Sequence, residues 1–238
     1  MKETVKYVVK VVILIWSVIL LVQPVYAERL YVFYPSVLRT QIVQKKLSQA
    51  LPGIEVRVFG RYRDFITKTK SDSPDAILSK EPVIQHLGGY SIKQKGIRNN
   101  ETDESYVLLS VNKRIDQIKM TNISIGVFDL LGRRGMKKFI DNYYSSKPRL
   151  KRVSKMEDLL QLLTFNMVDA ILIPEMYVAY FKEISKLHFI VIPVPKMRVG
   201  IIALATKSKG NSRILSNFIY MRDNINTLLD IDNWEAAQ

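Results

Sequence analysis

The chain has 238 residues, with 36 Lys and Arg against 22 Asp and Glu, and a formal net charge of +14. It contains no cysteine, which excludes disulfides, thiol nucleophiles and thiolate metal sites. The basic balance points to anionic partners, and the length suffices for one large domain or two small ones.

The first ten residues hold Lys2, Lys6 and Lys10 against Glu3, and residues 11–22 (VVILIWSVILLV) form an apolar run. Pro24 and Val25-Tyr26-Ala27 follow. This is the order of a secretory signal peptide over residues 1–27, cut after Ala27. The run is too short for a spanning helix, which needs about 20 residues. No cysteine follows it, so lipid attachment is excluded. Cleavage leaves 33 basic and 21 acidic residues, and the mature chain is expected to be soluble, monomeric and periplasmic. Export argues against nucleic acid as a partner and leaves the basic surface open to contact with an anionic membrane.

Downstream, strand-like and helix-like segments alternate. Residues 30–34 (LYVFY) predict a strand. Over residues 38–51, the spacing of Leu38, Ile42, Leu47 and Leu51 predicts a helix, stopped by Pro52-Gly53. A strand at 54–59, a short helix at 61–70 and a buried strand at 76–79 come next. Beyond a polar loop at 99–105, strands are expected at 106–111, 124–128, 150–153, 170–173, 189–194 and 199–206. Helices are expected at 132–144, at 159–165, through Phe181 and after 206. Ser154-Lys155-Met156-Glu157 has the pattern of a capping box, and Asn166 suits a left-handed stop.

A weak repeat runs through this order. Asp75-Ala76-Ile77-Leu78 returns as Asp169-Ala170-Ile171-Leu172, 94 residues later, and Val32-Phe33 returns as Val127-Phe128. Two matches at nearly one offset imply two similar α/β lobes with parallel-rich sheets flanked by helices.

Three stretches then carry a resemblance: residues 73–79 (SPDAILS), 126–135 (GVFDLLGRRG), and 152–175, from RVSKMEDLL to VDAILIPE. In order and spacing they resemble the type 2 periplasmic solute-binding proteins, in particular the phosphate and phosphonate branch of ABC transporter substrate-binding proteins. The resemblance implies a discontinuous first lobe (28–112 plus 195–238), a second lobe (113–194) and a two-strand hinge near 106–111 and 195–205. It departs from that branch at 130–135, where Leu130, Leu131, Arg133 and Arg134 stand in place of Ser, Thr and Gly.

Ligands of parallel α/β sheets sit beyond the carboxyl ends of the strands, where helix N-termini favour anions. The candidate ligand-binding residues there are Tyr34, Ser36, Ser79, Lys80, Asp129, Gly132, Arg133, Arg134 and Glu175. Ser36 and Ser79 would also serve as helix caps. At most one of Arg133 and Arg134 can face the cleft, since adjacent helical residues diverge. Tyr90 and Tyr106 suit either the cleft or the core. His86 and His188 lack the spacing of a metal pair, and no nucleophile elbow or phosphate loop occurs.

The expectation is therefore a binding protein and not an enzyme, without cofactor or metal. It would capture a small, phosphate-like anion between two lobes for an inner-membrane transporter or sensor. The alternative is an accessory protein of the same fold whose cleft, with Leu130 and Leu131, takes a lipid or another apolar ligand.

Overall fold

The computed structural model describes residues 27–111, 113–117, 120–144, 146–207, 213–220 and 222–237. The expected signal peptide lies outside the described residues except for Ala27. The first elements are β1 (Glu28–Phe33), α1 (Thr40–Ala50), β2 (Ile54–Val58), α2 (Tyr62–Asp72), β3 (Ala76–Ser79), α3 (Glu81–Leu87) and β4 (Tyr90–Ile97). Next are β5 (Asp103–Ser110), β6 (Ser124–Phe128), α4 (Gly132–Asp141), β7 (Arg149–Val153), α5 (Glu157–Thr164), β8 (Ala170–Pro174), α6 (Tyr177–Glu183) and β9 (Ile190–Gly200). Then come β10 (Ala203–Lys207), α7 (Arg213–Tyr220), α8 (Arg222–Leu229) and β11 (Asn233–Ala236).

Two sheets result, in the orders β11-β4-β10-β3-β1-β2 and β7-β6-β8-β5-β9. Each contains one parallel unit, β2-β1-β3 in the first and β7-β6-β8 in the second. The remaining strands pair antiparallel, so the sheets are mixed. The sequence repeat is the seam of these units. The Arg29 N–H donates to Asp75 Oδ2 at 2.8 Å, and the Asp75 N–H donates to the Arg29 carbonyl at 3.0 Å. In the second lobe the Ser124 N–H donates to Asp169 Oδ2 at 2.8 Å, and the Asp169 N–H donates to the Ser124 carbonyl at 2.9 Å. Each Asp thus fixes the start of a central strand against its neighbour, and so fixes the register of the unit.

Strands β3 (AILS) and β8 (AILIP) are buried at every position, because both faces of the central strands are covered. In β1, Leu30 and Val32 enter a core beneath α1, α7 and α8, while Tyr31 and Phe33 enter a second core. That second core runs on into the other lobe through Tyr106, Ile125, Val127, Leu130 and Leu131. A third core, with Leu109, Leu159, Ile171 and Phe181, lies under α5 and α6.

Several local expectations are corrected. The buried face of α1 is Val43, Leu47 and Ala50, while Leu38 and Ile42 are exposed. No capping box forms: the residue before α5 is Met156, without a side-chain cap. Neither serine caps its helix. Ser36 Oγ accepts the Leu38 N–H at 3.0 Å, and Ser79 Oγ donates to the Phe33 carbonyl at 2.5 Å. Helix α3 and strands β4 and β11 were not anticipated. Asn166 does take a left-handed conformation, at φ 50°.

The chain passes between the sheets twice, at residues 98–102 and 201–202. The crossings are joined, since the Ile201 N–H donates to the Thr102 carbonyl at 2.9 Å. By ladder partners, residues 103–110 and 190–200 belong to the second sheet.

Candidate functional site

The lobes meet in two different ways, one apolar and closed, one polar and open. On the closed side Leu130 and Leu131 are buried in the shared core, and the Phe33 and Phe128 rings stack at 6.0 Å. Burying a leucine contributes about 1.5–3 kcal/mol, so this contact stabilises the meeting of the lobes. Gly132, at φ +69°, lies where an added Cβ would stand 3.0 Å from the Tyr62 ring of the first lobe. Backbone can come this close to an aromatic face only without a side chain. The start of α4 is thus seated against the first lobe. The apolar cavity beneath it, bordered by Leu130, Met136 and Met197, has about 20 Å³.

A buried ionic cluster ties the crossings. Lys80, which follows β3, has 1% of its side chain exposed and pairs with Glu104 of β5. Lys80 Nζ also donates to the Ile201 carbonyl at 3.1 Å, and Arg98 Nη1 donates to Glu104 Oε2 at 3.0 Å. Burial pushes the Lys80 ammonium down from its ordinary range, and the Glu104 charge opposes that shift. Nearby, the Tyr177 hydroxyl donates to the Pro35 carbonyl at 3.1 Å, across the lobes. Burial, with the Glu104 charge, raises the Tyr34 phenol to about 12.

The open side is a groove of about 550 Å³ at the carboxyl ends of the parallel strands. From the first lobe it is bordered by Tyr34, Ser36, Arg39, Thr40 and Arg61, and from the second by Phe128, Ser154, Lys155, Glu157 and Asp158. Helices α1 and α5 both begin there. Helix α1 has no acidic residue in its first turn, so its N-terminal N–H groups stay attractive to an anion. Helix α5 begins with Glu157 and Asp158. Among the described residues, Arg39, Arg61, Lys155, Glu157 and Asp158 form no ion pair with one another or with other groups.

The expected residues scatter over these places. Tyr34 and Ser36 border the groove. Ser79 and Lys80 are buried and fully engaged, Ser79 with the Phe33 carbonyl and Lys80 with the crossings. Asp129 accepts from Arg152 Nη1 at 2.5 Å, and Gly132 faces Tyr62. Arg133 borders an outer depression with Lys137, Pro148, Leu150 and Arg152, and Arg134 is exposed. Glu175 borders a third depression, beside the crossings, with Arg98, Glu101, Asp103 and Arg198. Tyr90 donates to the Pro74 carbonyl at 3.0 Å, and Tyr106 is buried. Arg39, Arg61, Glu157 and Asp158 were not anticipated as site residues. Their signal was position: Arg39 just before α1, Arg61 soon after β2, and Glu157 and Asp158 in the first turn of α5.

No protein-family model and no curated protein sequence matches the chain. Solved structures do. A putative L-cystine ABC transporter protein from Listeria monocytogenes aligns with TM-score 0.58 and 9% identity, over 87% of this chain and 99% of that one. The BvgS VFT2 domain of Bordetella pertussis gives TM-score 0.56 and 11% identity, over 86% and 92%. An amino acid ABC transporter substrate-binding protein from Streptococcus pneumoniae, bound to L-arginine, gives TM-score 0.53 and 11% identity, over 85% and 87%. At such identities the likeness shows the fold, which is the two-lobed fold of type 2 periplasmic binding proteins.

Proposed function

We propose that the protein is a periplasmic binding protein that holds a small zwitterion of the amino-acid class in the open groove and presents it to a membrane transporter or sensor. The observation that carries this reading is the mixed, uncompensated charge of the groove, with Arg39 and Arg61 on one lobe and Glu157 and Asp158 on the other. A carboxylate fits the two guanidinium groups and the start of α1. An ammonium group fits Glu157 and Asp158. A phosphate-like anion would bring a like charge to both carboxylates, so the zwitterion replaces the anion expected from sequence.

The volume falls within the usual range of roughly 300–1,000 Å³ for ligand pockets. The apolar cavity bordered by Leu130, at about 20 Å³, has room for about one water and far too little for an acyl chain, which argues against a lipid at that place. The L-arginine bound to the Streptococcus pneumoniae neighbour is a solute of the proposed class. The neighbours also support a binding role over an enzymatic one. Because both carboxylates lie on the second lobe, with Lys155, and both guanidinium groups on the first, a bridging solute would favour the closed arrangement over an open one, with the two crossings as the hinge.

Thermal unfolding of the exported protein against amino acids, phosphate and phosphonates tests the reading. A solute at about 100 times its Kd adds about 2.7 kcal/mol to the native state. An amino acid should raise the midpoint, and both Arg61→Ala and Glu157→Gln should abolish the rise. A rise with phosphate alone, or one that survives Glu157→Gln, would sink the zwitterion.

A further inference from the structure

We propose that the outer face formed by α4 and β7 docks the protein onto an anionic phospholipid bilayer. Residues 133–155 hold nine basic side chains and one acidic one, Asp141. Arg133, Arg134, Lys137 and Lys138 are exposed on α4. Lys147, Arg149, Lys151, Arg152 and Lys155 are exposed on β7 and its flanks. A depression of about 380 Å³, bordered by Arg133, Lys137, Pro148, Leu150 and Arg152, joins the two elements into one face. Only Arg152 among the nine has a carboxylate partner within the described residues, Asp129.

Edge protection does not account for this face. Strand β7 is a sheet edge, and charges on edges deter pairing with other chains. Two of the other edges achieve this with balanced charge. On β2, Arg57 pairs with Glu55 at 3.5 Å, and on β9, Arg198 pairs with Glu101 and Asp103. The β7 edge has no such balance, and its charge continues onto α4. The face extends over roughly 15 Å along α4 and about 17 Å along β7, twice the Debye length of about 8 Å. So broad an array matches a plane of phosphates better than one small anion. An export-type leader, as expected from residues 1–27, would bring the chain to a bilayer, which favours lipid over nucleic acid. Most of the face is separate from the solute groove, with only Lys155 common to both.

The test is co-sedimentation of the protein, as the cell exports it, with vesicles of equimolar phosphatidylglycerol and phosphatidylcholine, beside vesicles of phosphatidylcholine alone. Binding should require phosphatidylglycerol and fall with salt. Lys137→Glu with Lys151→Glu should weaken it by two orders of magnitude or more, at about fivefold per unit of charge, with an unchanged melting temperature. Equal binding to both vesicles, or no effect of the double substitution, overturns the proposal. So does failure to bind vesicles while inorganic phosphate or a soluble oligonucleotide does bind this face.

Discussion

The two lobes share one parallel unit and use its strand ends in opposite ways. In the first lobe the residue after the β3 strand is Lys80, buried beside the crossings and neutralised by Glu104. In the second lobe the residue after β8 is Glu175, exposed. The edges differ likewise: β2 carries paired charges and β7 an uncompensated basic face. The repeated parts make the scaffold, and the features that set the lobes apart lie where the repeats diverge. The sharpest way to break this contrast is to remove the two carboxylates in turn. Glu104→Ala leaves the Lys80 ammonium buried without a counter-charge and should cost about 3 to 5 kcal/mol. Glu175→Ala, at the surface, should stay within about 0.5 kcal/mol. Urea unfolding of both proteins measures this, and equal losses would mean that the ionic cluster at the crossings is not a constraint.

The starts of α1 and α4 give a smaller contrast. Arg39, before α1, has an extended backbone at the open groove, whereas Gly132 opens α4 at positive φ against Tyr62. Gly132→Ala should lose about 1 to 3 kcal/mol from backbone strain and the aromatic contact. In a Tyr62→Ala background the cost should fall, because only the strain remains. Additive losses in the double variant would show that Gly132 is needed for its backbone alone.

What was legible in the sequence follows from how each element is buried. Strands such as 76–79 and 170–174, covered on both faces, are apolar runs and were readable. Strand β4 (YSIKQKGI) is mostly half-buried and alternates weakly, so nothing marked it. The lobe repeat was visible because Asp75 and Asp169 perform the same backbone task. The groove was only half visible. Tyr34 and Ser36 follow an obvious strand, but whether Lys80 meets a solute or Glu104 depends on a crossing strand 24 residues away. Such a long-range choice leaves no local pattern. Arg133 and Arg134 were misleading for another reason. Leu130 and Leu131 bury the start of α4, which turns its basic side chains outward.

The repeat itself can be tested by paired substitution. Asp75→Ala and Asp169→Ala each strip a carboxylate from a main-chain N–H of the adjacent strand. Each should lose about 1 to 3 kcal/mol, as for a hydrogen bond to a charged group. Similar losses by urea unfolding support equivalent units. A loss at one site only would reduce the repeat to a chance of sequence.

The smallest expected effect is the acid dependence of the second-lobe site. Partial burial by itself would raise the Asp169 carboxyl, but the Ser124 N–H and hydroxyl and the Lys113 ammonium outweigh it and hold the group at about 2. An unfolded Asp titrates near 3.9. The folded value is the lower one, so the carboxylate stabilises the fold fully above about pH 4, and this contribution fades as the pH falls toward about 2. Asp169→Asn removes the titrating group. The stability difference between the natural chain and this variant should therefore be constant at neutral pH and shrink through the window below about pH 4. A difference that stays level on acidification would show that the Ser124 and Lys113 contacts do not favour the charged form. The seam of the second lobe would then be held by backbone pairing, without help from the carboxylate.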